Sequence, residues 1–371
     1  MAMAQLLFLT SAVIDSGVHR RARIGMIRFL VELGFEVTVV APRINSKHPI
    51  EDEVDIHWAD WNQLPMMETY SKLRGIKRVL KALLTKKTFD VAMVDTISAE
   101  VLIKAMRRHG SFPFFFDERS PPVYDHLSGR LQWLMTNRRW KKCAPKAVAC
   151  LVQSDAHADF IRERYGLVGL DFIIYRNSVN IDDFTPANNH KERIAVYTGT
   201  LRRERGVEDL IEAGRLVNDA GQKISIQLYG TGPMDQWISK LASTEKWLEY
   251  HGWVSDDELK QALGRAMIGV IPHPDRLGWR ICAPTKLLEY AASGMIVLAR
   301  NLPSHQEIGP QDWFHLVSSE DGPEKIAEGL IQILESGDSD TLCAAARTYA
   351  EEEMTFEART REFAKHLQTY L

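Results

Sequence analysis

In Pro284-Thr285-Lys286-Leu287-Leu288-Glu289-Tyr290-Ala291-Ala292-Ser293-Gly294, a lysine and a glutamate stand three residues apart inside a largely apolar segment. On a helix that spacing puts both on one face. A cation at a helix N-terminus suits phosphate, which the free N–H groups and the helix dipole also attract. A carboxylate one turn further on can accept hydrogen bonds from hydroxyls. Together they suit a nucleotide, with the diphosphate at the helix tip and the ribose beside Glu289. A solvated surface pair is the competing reading. Leu287, Leu288, Ala291 and Ala292 weigh against it, because they make the helix largely buried, with Tyr290 on its flank.

The elements that must hold this pair are legible around it. Pro284 suits the first turn of a helix and Gly294 the position just past its end. An apolar run, Met267 to Ile271, precedes the segment and another, Ile296 to Ala299, follows it, so the order is strand, loop, helix, strand. The loop, Pro272 to Ala283, has twelve residues, whereas such connections usually take about two to six. A long loop at the carboxyl end of a strand is where α/β sheets bind ligands. Two more glycine turns sit at strand ends. Tyr197-Thr198-Gly199-Thr200-Leu201 leads into the basic turn Arg202-Arg203-Glu204-Arg205-Gly206, and Gly230-Thr231-Gly232-Pro233 follows the strand ending at Tyr229. Glycine admits phosphate to backbone N–H groups, and guanidinium binds it in a bidentate manner. A hydrated basic loop and plain turn chemistry are the alternatives. All three turns converge on the carboxyl edge of one sheet.

Apolar runs and amphipathic segments alternate from end to end. Gln5 to Val13, Gly17 to Leu33 and Phe35 to Ala41 read as strand, helix and strand, opening a doubly wound parallel sheet. Further strands are expected at Val91–Val94, Phe112–Phe116 and Ala147–Val152. After a polar break at Asn177 to Glu192 a second series begins: a strand at Arg193–Thr198, a helix at Val207–Ala220 and a strand at Ile224–Tyr229. The fold expected is α/β, with two Rossmann-like domains facing a cleft. Their bounds are 1–186 and 187–355, and the amphipathic segment 356–371 is expected to pack back on the first domain.

The 371 residues, 45% hydrophobic and 26% charged, have the composition of a soluble globular protein. No apolar run approaches the roughly 20 residues of a membrane span, and the opening Met1-Ala2-Met3-Ala4-Gln5 lacks the basic flank of a signal peptide. Cys143, Cys150, Cys282 and Cys343 show neither a zinc spacing nor a disulfide framework, so a cytoplasmic setting is expected. Charge is uneven: residues up to Pro186 sum to +5 and the rest to −8.

Taken in order, Tyr197-Thr198-Gly199-Thr200-Leu201, Arg205-Gly206-Val207, Gly230-Thr231-Gly232-Pro233, His251-Gly252-Trp253-Val254 with Glu258-Leu259, and the Pro284–Gly294 segment resemble the nucleotide-sugar-binding domain of group 1 glycosyltransferases. These are the retaining GT-B enzymes often called family 4. The resemblance extends to Ser154-Asp155 and Asn177-Ser178-Val179-Asn180-Ile181-Asp182-Asp183-Phe184, covers residues 145–320 well, and reaches the first domain by pattern only.

The resemblance implies roles. Glu289 matches the second glutamate of the family's EX7E motif and would bind the ribose hydroxyls. Arg205 would hold the diphosphate, supported by Lys286, with Thr285 and Leu287 beside it. Gly199, Thr200, Gly230 and Thr231 would line the donor, and Gly17 matches the glycine loop of the other domain that approaches the phosphates. The chain also departs from the pattern. The first EX7E glutamate is Ile281, leaving Asp275 and Arg280 as substitutes for contact with the donor sugar. Thr200 replaces an arginine, leaving Arg202 or Arg203 as a second phosphate ligand.

On the acceptor side, Asp117 and Glu118 follow the apolar run Phe114-Phe115-Phe116 and are candidates for orienting or deprotonating an acceptor hydroxyl. A salt bridge to Arg119, or a helix cap, is the alternative. The only close Asp-x-Asp, Asp338-Ser339-Asp340, reads as a helix cap, so fixed cations rather than a metal are expected to stabilise the departing diphosphate, and no cofactor is expected. Lys72, Arg74, Lys77, Arg78, Lys81, Lys86 and Lys87 alternate with Leu73, Ile76, Val79, Leu80, Leu83 and Leu84. Such a helix either lies on an anionic membrane surface, peripherally on its inner face, or packs its leucines on the sheet. A second basic cluster, Arg130 to Lys146 with Trp133 and Trp140, has a similar character.

The function expected is transfer of a sugar from a nucleoside-diphosphate sugar to a hydroxyl acceptor: a glycan, a lipid-linked glycan or a small molecule. Retention is implied by resemblance only. The alternatives are a nucleotide-sugar isomerase or hydrolase on the same fold, and a noncatalytic nucleotide-sugar-binding subunit motivated by Ile281. A dehydrogenase is disfavoured, because the turn Thr10 to Gly17 lacks GxGxxG. No nucleic-acid partner is expected.

Overall fold

A computed structural model describes residues 4–14, 20–44, 49–63, 67–118, 127–167, 169–186, 191–282, 285–320 and 322–369. Gly17, Pro284 and Arg119, singled out from the sequence, lie outside the described residues. The chain forms two compact units, Met1–Arg176 with Phe356–Leu371, and Asn177–Thr355.

The first unit holds β1 (Gln5–Leu9), α1 (Arg20–Glu32), β2 (Glu36–Pro42), β3 (Asp55–Ala59), α2 (Glu68–Leu84), β4 (Val91–Asp95), α3 (Ala99–His109), β5 (Phe114–Asp117), α4 (Leu127–Cys143), β6 (Ala149–Val152), α5 (Asp155–Tyr165) and β7 (Asp171–Ile174). Its strands form a seven-stranded sheet in the order β3-β2-β1-β4-β5-β6-β7, with parallel pairing throughout. The second unit holds β8 (Glu192–Thr198), α6 (Val207–Asp219), β9 (Ser225–Tyr229), α7 (Asp235–Ala242), β10 (Leu248–Gly252), α8 (Asp256–Arg265), β11 (Ala266–Ile271), α9 (Leu277–Arg280), α10 (Thr285–Ala292), β12 (Ile296–Arg300), α11 (Pro303–Gln306), β13 (Phe314–Val317), α12 (Glu324–Glu335) and α13 (Ser339–Glu353). Its six parallel strands run β10-β9-β8-β11-β12-β13. The last helix, α14 (Phe356–Gln368), belongs to the first unit. There Phe363 sits edge-on to Phe115 at 6.1 Å and to Tyr175 at 5.6 Å.

Both strand orders reverse once, between β1 and β4 and between β8 and β11. Chains leaving neighbouring strands toward opposite faces open a crevice at that point, beyond the carboxyl ends of the strands. Central strands are mostly apolar because helices cover both faces: every residue of β11 and β12 is buried. Each fully buried Leu, Ile or Val among them contributes about 1.5–3 kcal/mol.

Several segments singled out from the sequence take definite places. Residues 177–186 pack with the second unit rather than the first; Val179 N donates to Met354 O at 2.9 Å. Within the loop after β11, Leu277–Arg280 form the short helix α9. Asp338 stands at the N-cap of α13, but its side chain makes no cap hydrogen bond. The apolar stripe of the basic segment 72–87 faces the core: Ile76, Leu80, Leu83 and Leu84 join the first unit's hydrophobic cluster, leaving α2 a charged outer face. Trp140 of the second basic cluster is fully buried, 4.9 Å from Phe116 and stacked on Tyr165 at 6.1 Å. Among the described residues no helix is long and apolar enough to cross a membrane.

Candidate functional site

In the second unit the switch point falls between β8 and β11, whose carboxyl ends carry Gly199 and the loop from Pro272. Three backbone contacts bring the glycine turns together. Gly199 N donates to Tyr229 O at 2.8 Å, Leu201 N to Thr231 O at 3.1 Å, and Gly230 N to Gly252 O at 2.7 Å. Gly199 and Gly230 both have φ near +120° (123° and 124°), a region other residues rarely enter. A Cβ on Gly230 would overlap the Gly199 carbonyl oxygen, so only glycine lets the two turns touch.

Helix α10 is seated from below. Gly269 on β11 leaves room for the Tyr290 ring, against which any Cβ there would clash. The buried Tyr290 hydroxyl accepts from Thr198 N at 3.0 Å, which ties α10 to the end of β8. Burial pushes the Tyr290 hydroxyl far above its ordinary range, so it stays protonated. The N-terminal turn of α10 is thereby fixed beside Gly199.

Lys286 is 8% exposed. Its Nζ lies where a Cβ on Gly199 would stand 3.2 Å away, and 5.2 Å from the Tyr197 ring centroid. Burial and then Arg205 lower its pKa, opposed by Glu289 and Cys282, to about 8 in all. The ammonium therefore sits in a low-dielectric site beside a second cation, where an anion would stabilise it. Arg205 closes a short 3-10 turn, Arg203–Arg205, directly before α6. The next residue, Gly206, adopts φ 73° and abuts the Pro272 carbonyl, which leaves no space for a side chain.

The sequence-derived residues divide accordingly. Gly199, Thr200, Arg205, Gly230, Thr231, Thr285, Lys286, Leu287 and Glu289 all lie on turns or helix ends at this one edge. Thr200 is half-buried and its carbonyl accepts from the Tyr197 hydroxyl at 3.2 Å; Thr231 is exposed; Leu287 belongs to the core. Arg203 points to solvent and pairs with Glu208 at 3.3 Å. Asp275 and Arg280 are exposed and pair with each other at 3.5 Å, while Ile281 is buried.

Two residues of the loop escaped the sequence reading. His273 and Trp279 stack at 4.1 Å and 16°, both buried. Burial, Lys286, His305 and Arg205 together hold the imidazole well below its usual pKa, so it is neutral. An aromatic inside a loop carries no periodicity, so only the unusual loop length pointed to them.

In the first unit Asp117 ends β5 and is buried; its carbonyl accepts from Thr96 N at 3.1 Å and from Thr96 Oγ1 at 3.0 Å. Glu118 is also buried and accepts from Thr96 Oγ1 at 2.7 Å. The switch point of this sheet, however, belongs to Asp95 at the end of β4. Its carboxylate accepts from Thr10 Oγ1 at 2.9 Å, Ser11 N at 2.6 Å, Ser11 Oγ at 2.9 Å and Ser98 N at 2.7 Å. Among the described residues no cluster of His, Cys, Asp and Glu could hold a metal ion.

The two sheets and the switch-point geometry define an α/β protein of two Rossmann-like domains. Known proteins narrow the class. Residues 192–336 match the family described as "Glycosyl transferases group 1". A search of curated protein sequences finds no significant match. Among solved structures, sucrose-phosphate synthase from Thermosynechococcus elongatus superposes with TM-score 0.78 at 15% identity, covering 98% of each chain. Anabaena HepE, solved in complex with UDP, gives 0.73 at 13% identity over 98% of this chain and 100% of its own. The lipopolysaccharide outer core galactosyltransferase WaaB in its apo form gives 0.71 at 16% identity over 99% and 100%. The fold is therefore that of the GT-B glycosyltransferases.

Proposed function

We propose that the protein is a glycosyltransferase that moves a sugar from a nucleoside-diphosphate sugar to a hydroxyl acceptor. The observation that carries this reading is the buried Lys286 at the start of α10, set against the Gly199 turn at the switch point of β8 and β11, with Arg205 near enough to lower its pKa. Two cations at the start of a helix match a departing diphosphate, whose charge grows as the glycosyl bond breaks. Glu289, one turn along, takes the ribose hydroxyls. The match of residues 192–336 to group 1 glycosyltransferases supports the same assignment, as does the UDP bound by HepE, a protein of like fold.

The chemistry divides by residue. Arg205 and Lys286 neutralise the leaving diphosphate without a metal. Retention of configuration is the outcome proposed, and Asp117 or Glu118 orients the acceptor hydroxyl. Glu118 is held by Thr96 at a sheet end, as an orienting group should be. Basic side chains on the outer face of α2 draw the protein to anionic membranes. Leu131, Leu134 and Met135, exposed along one face of α4, add an apolar contact, and the acceptor is then lipid-linked. The burial of Ile281, where the family carries a glutamate, favours a second reading as a noncatalytic nucleotide-sugar-binding subunit.

Labelled UDP-, GDP-, dTDP- and ADP-sugars, incubated with the protein and a glycolipid and glycan extract, separate these readings. Label appearing in the extract with release of the nucleoside diphosphate supports transfer. Donor consumed equally without extract identifies an isomerase or hydrolase, and binding without consumption identifies the noncatalytic subunit.

A further inference from the structure

The turn that carries Arg205 and the loop after β11 are joined through Trp279 and through Gly206, and Trp279 is also held from other sides. Its Nε1 donates to Glu204 O at 3.3 Å, and its carbonyl accepts from Ser304 Oγ at 2.9 Å. Its ring stacks on His273 at 4.1 Å, and the Arg205 Cζ stands 5.1 Å from its centroid. Gly206, immediately after Arg205, is pressed on the Pro272 carbonyl of the same loop. The ring is only 7% exposed, so it is a rigid wall.

A guanidinium that lies against an aromatic face uses its π surface for that contact, while its N–H donors point within its own plane. A long side chain held this way has less rotamer freedom to lose when an anion arrives. The wall is itself backed, since His273 is buried and its Nε2 makes no hydrogen bond among the described residues. A neutral imidazole stacks on the indole without adding a third positive charge beside Arg205 and Lys286.

We propose that Trp279, backed by His273, is a positioning residue that holds the Arg205 guanidinium ready for the diphosphate of the donor. This rests on the donor-site reading above. It assigns a task to the long loop that does not depend on the missing glutamate at position 281: the loop's aromatic sets the angle of the phosphate-binding arginine. Trp279 need not touch the ligand.

The test is a double-mutant cycle read by UDP titration calorimetry on the full chain, with GDP, dTDP and ADP as alternates if UDP is not the nucleotide bound. Trp279→Leu keeps apolar bulk and removes the π face; Trp279→Phe keeps a face. Trp279→Leu should weaken binding about five- to thirtyfold, as loss of a desolvated cation–π contact does, and Trp279→Phe should recover most of it. Combined with Arg205→Ala, Trp279→Leu should add little further loss, because its effect passes through the arginine. Multiplicative losses, or wild-type affinity in Trp279→Leu, would overturn the proposal. Melting temperatures of the unliganded variants identify a general packing defect, which Trp279→Phe would then share only weakly. If the wild-type chain binds none of the four nucleotides, the donor-site reading fails first and this proposal with it. If wild type binds and Trp279→Leu binds equally, only this proposal fails.

Discussion

Lys286 and Glu289 stand three residues apart, yet their environments differ, and the difference gives each a distinct signature. Lys286 is buried with a pKa near 8, well below the ordinary lysine value, so it loses its charge as pH rises through about 8. A bound diphosphate favours the ammonium and raises that pKa. Affinity should therefore be flat from pH 7 to about 8 and then fall by up to tenfold per pH unit, until the pKa of the liganded state is reached. Lys286→Met should bind more weakly at pH 7 and lose this slope, a comparison that titration calorimetry across pH makes directly. Arg205 supplies no slope, because guanidinium stays charged throughout. Glu289 makes a different prediction. If it holds ribose hydroxyls, Glu289→Ala should weaken UDP by roughly ten- to a hundredfold, the range of hydrogen bonds to a charged group, and leave inorganic pyrophosphate binding unchanged. Equal losses for both ligands would place Glu289 at the phosphates instead. Residues of this kind were legible because their types announce chemistry at a helix start. His273 and Trp279 were not, because their roles arise from a stacking contact that no spacing rule encodes.

Helix α10 works only if it is fixed against β8 and β11, and one hydroxyl does much of that. Tyr290→Phe leaves the buried Thr198 N–H without the acceptor it has now, which should cost about 1–3 kcal/mol in urea unfolding. Gly269→Ala should be worse, because its Cβ meets the Tyr290 ring itself. The strands that carry these helices show where sequence reading succeeds. Every strand it identified in either sheet is central, and the four it left unassigned, β3, β7, β10 and β13, are the four sheet edges. Central strands, covered on both faces, are mostly apolar runs. Edge strands are partly solvated and mix types, as Asp55-Ile56-His57-Trp58-Ala59 does, so they resemble loops in a linear reading. The basic helix α2 left two readings open, one lying on a membrane surface and one packed on the sheet. Its leucines are as apolar as those of a membrane-surface helix, and only the sheet beneath them shows where they go.

For the chain as a whole, the two strand orders explain why chemistry-bearing residues gather where they do. Both sheets place polar side chains beyond the strand ends at the reversal: Asp95 with Thr10 and Ser11 in one, Lys286 with Arg205 in the other. The tandem α/β architecture was readable from alternating patterns; the side to which residues 177–186 of the polar break belong was not. Residues 177–186 look like a polar tail of the first unit, but Arg347 Nη1 holds the Phe184 carbonyl at 2.6 Å within the second. The absence of an essential metal is a prediction at this level. Nucleotide binding and sugar transfer should proceed equally in magnesium and in chelator, and activity abolished by chelator and restored by a divalent ion would require a different source of charge at the diphosphate. The central claim, a nucleoside-diphosphate site at the start of α10, is tested most directly by thermal unfolding of wild type and Lys286→Met with UDP, GDP, dTDP and ADP. A ligand that binds only the native state must raise its melting temperature. A rise with one of the four is expected in wild type, reduced or lost in Lys286→Met at pH 7. No rise with any of them, or a rise that Lys286→Met retains in full, would contradict it.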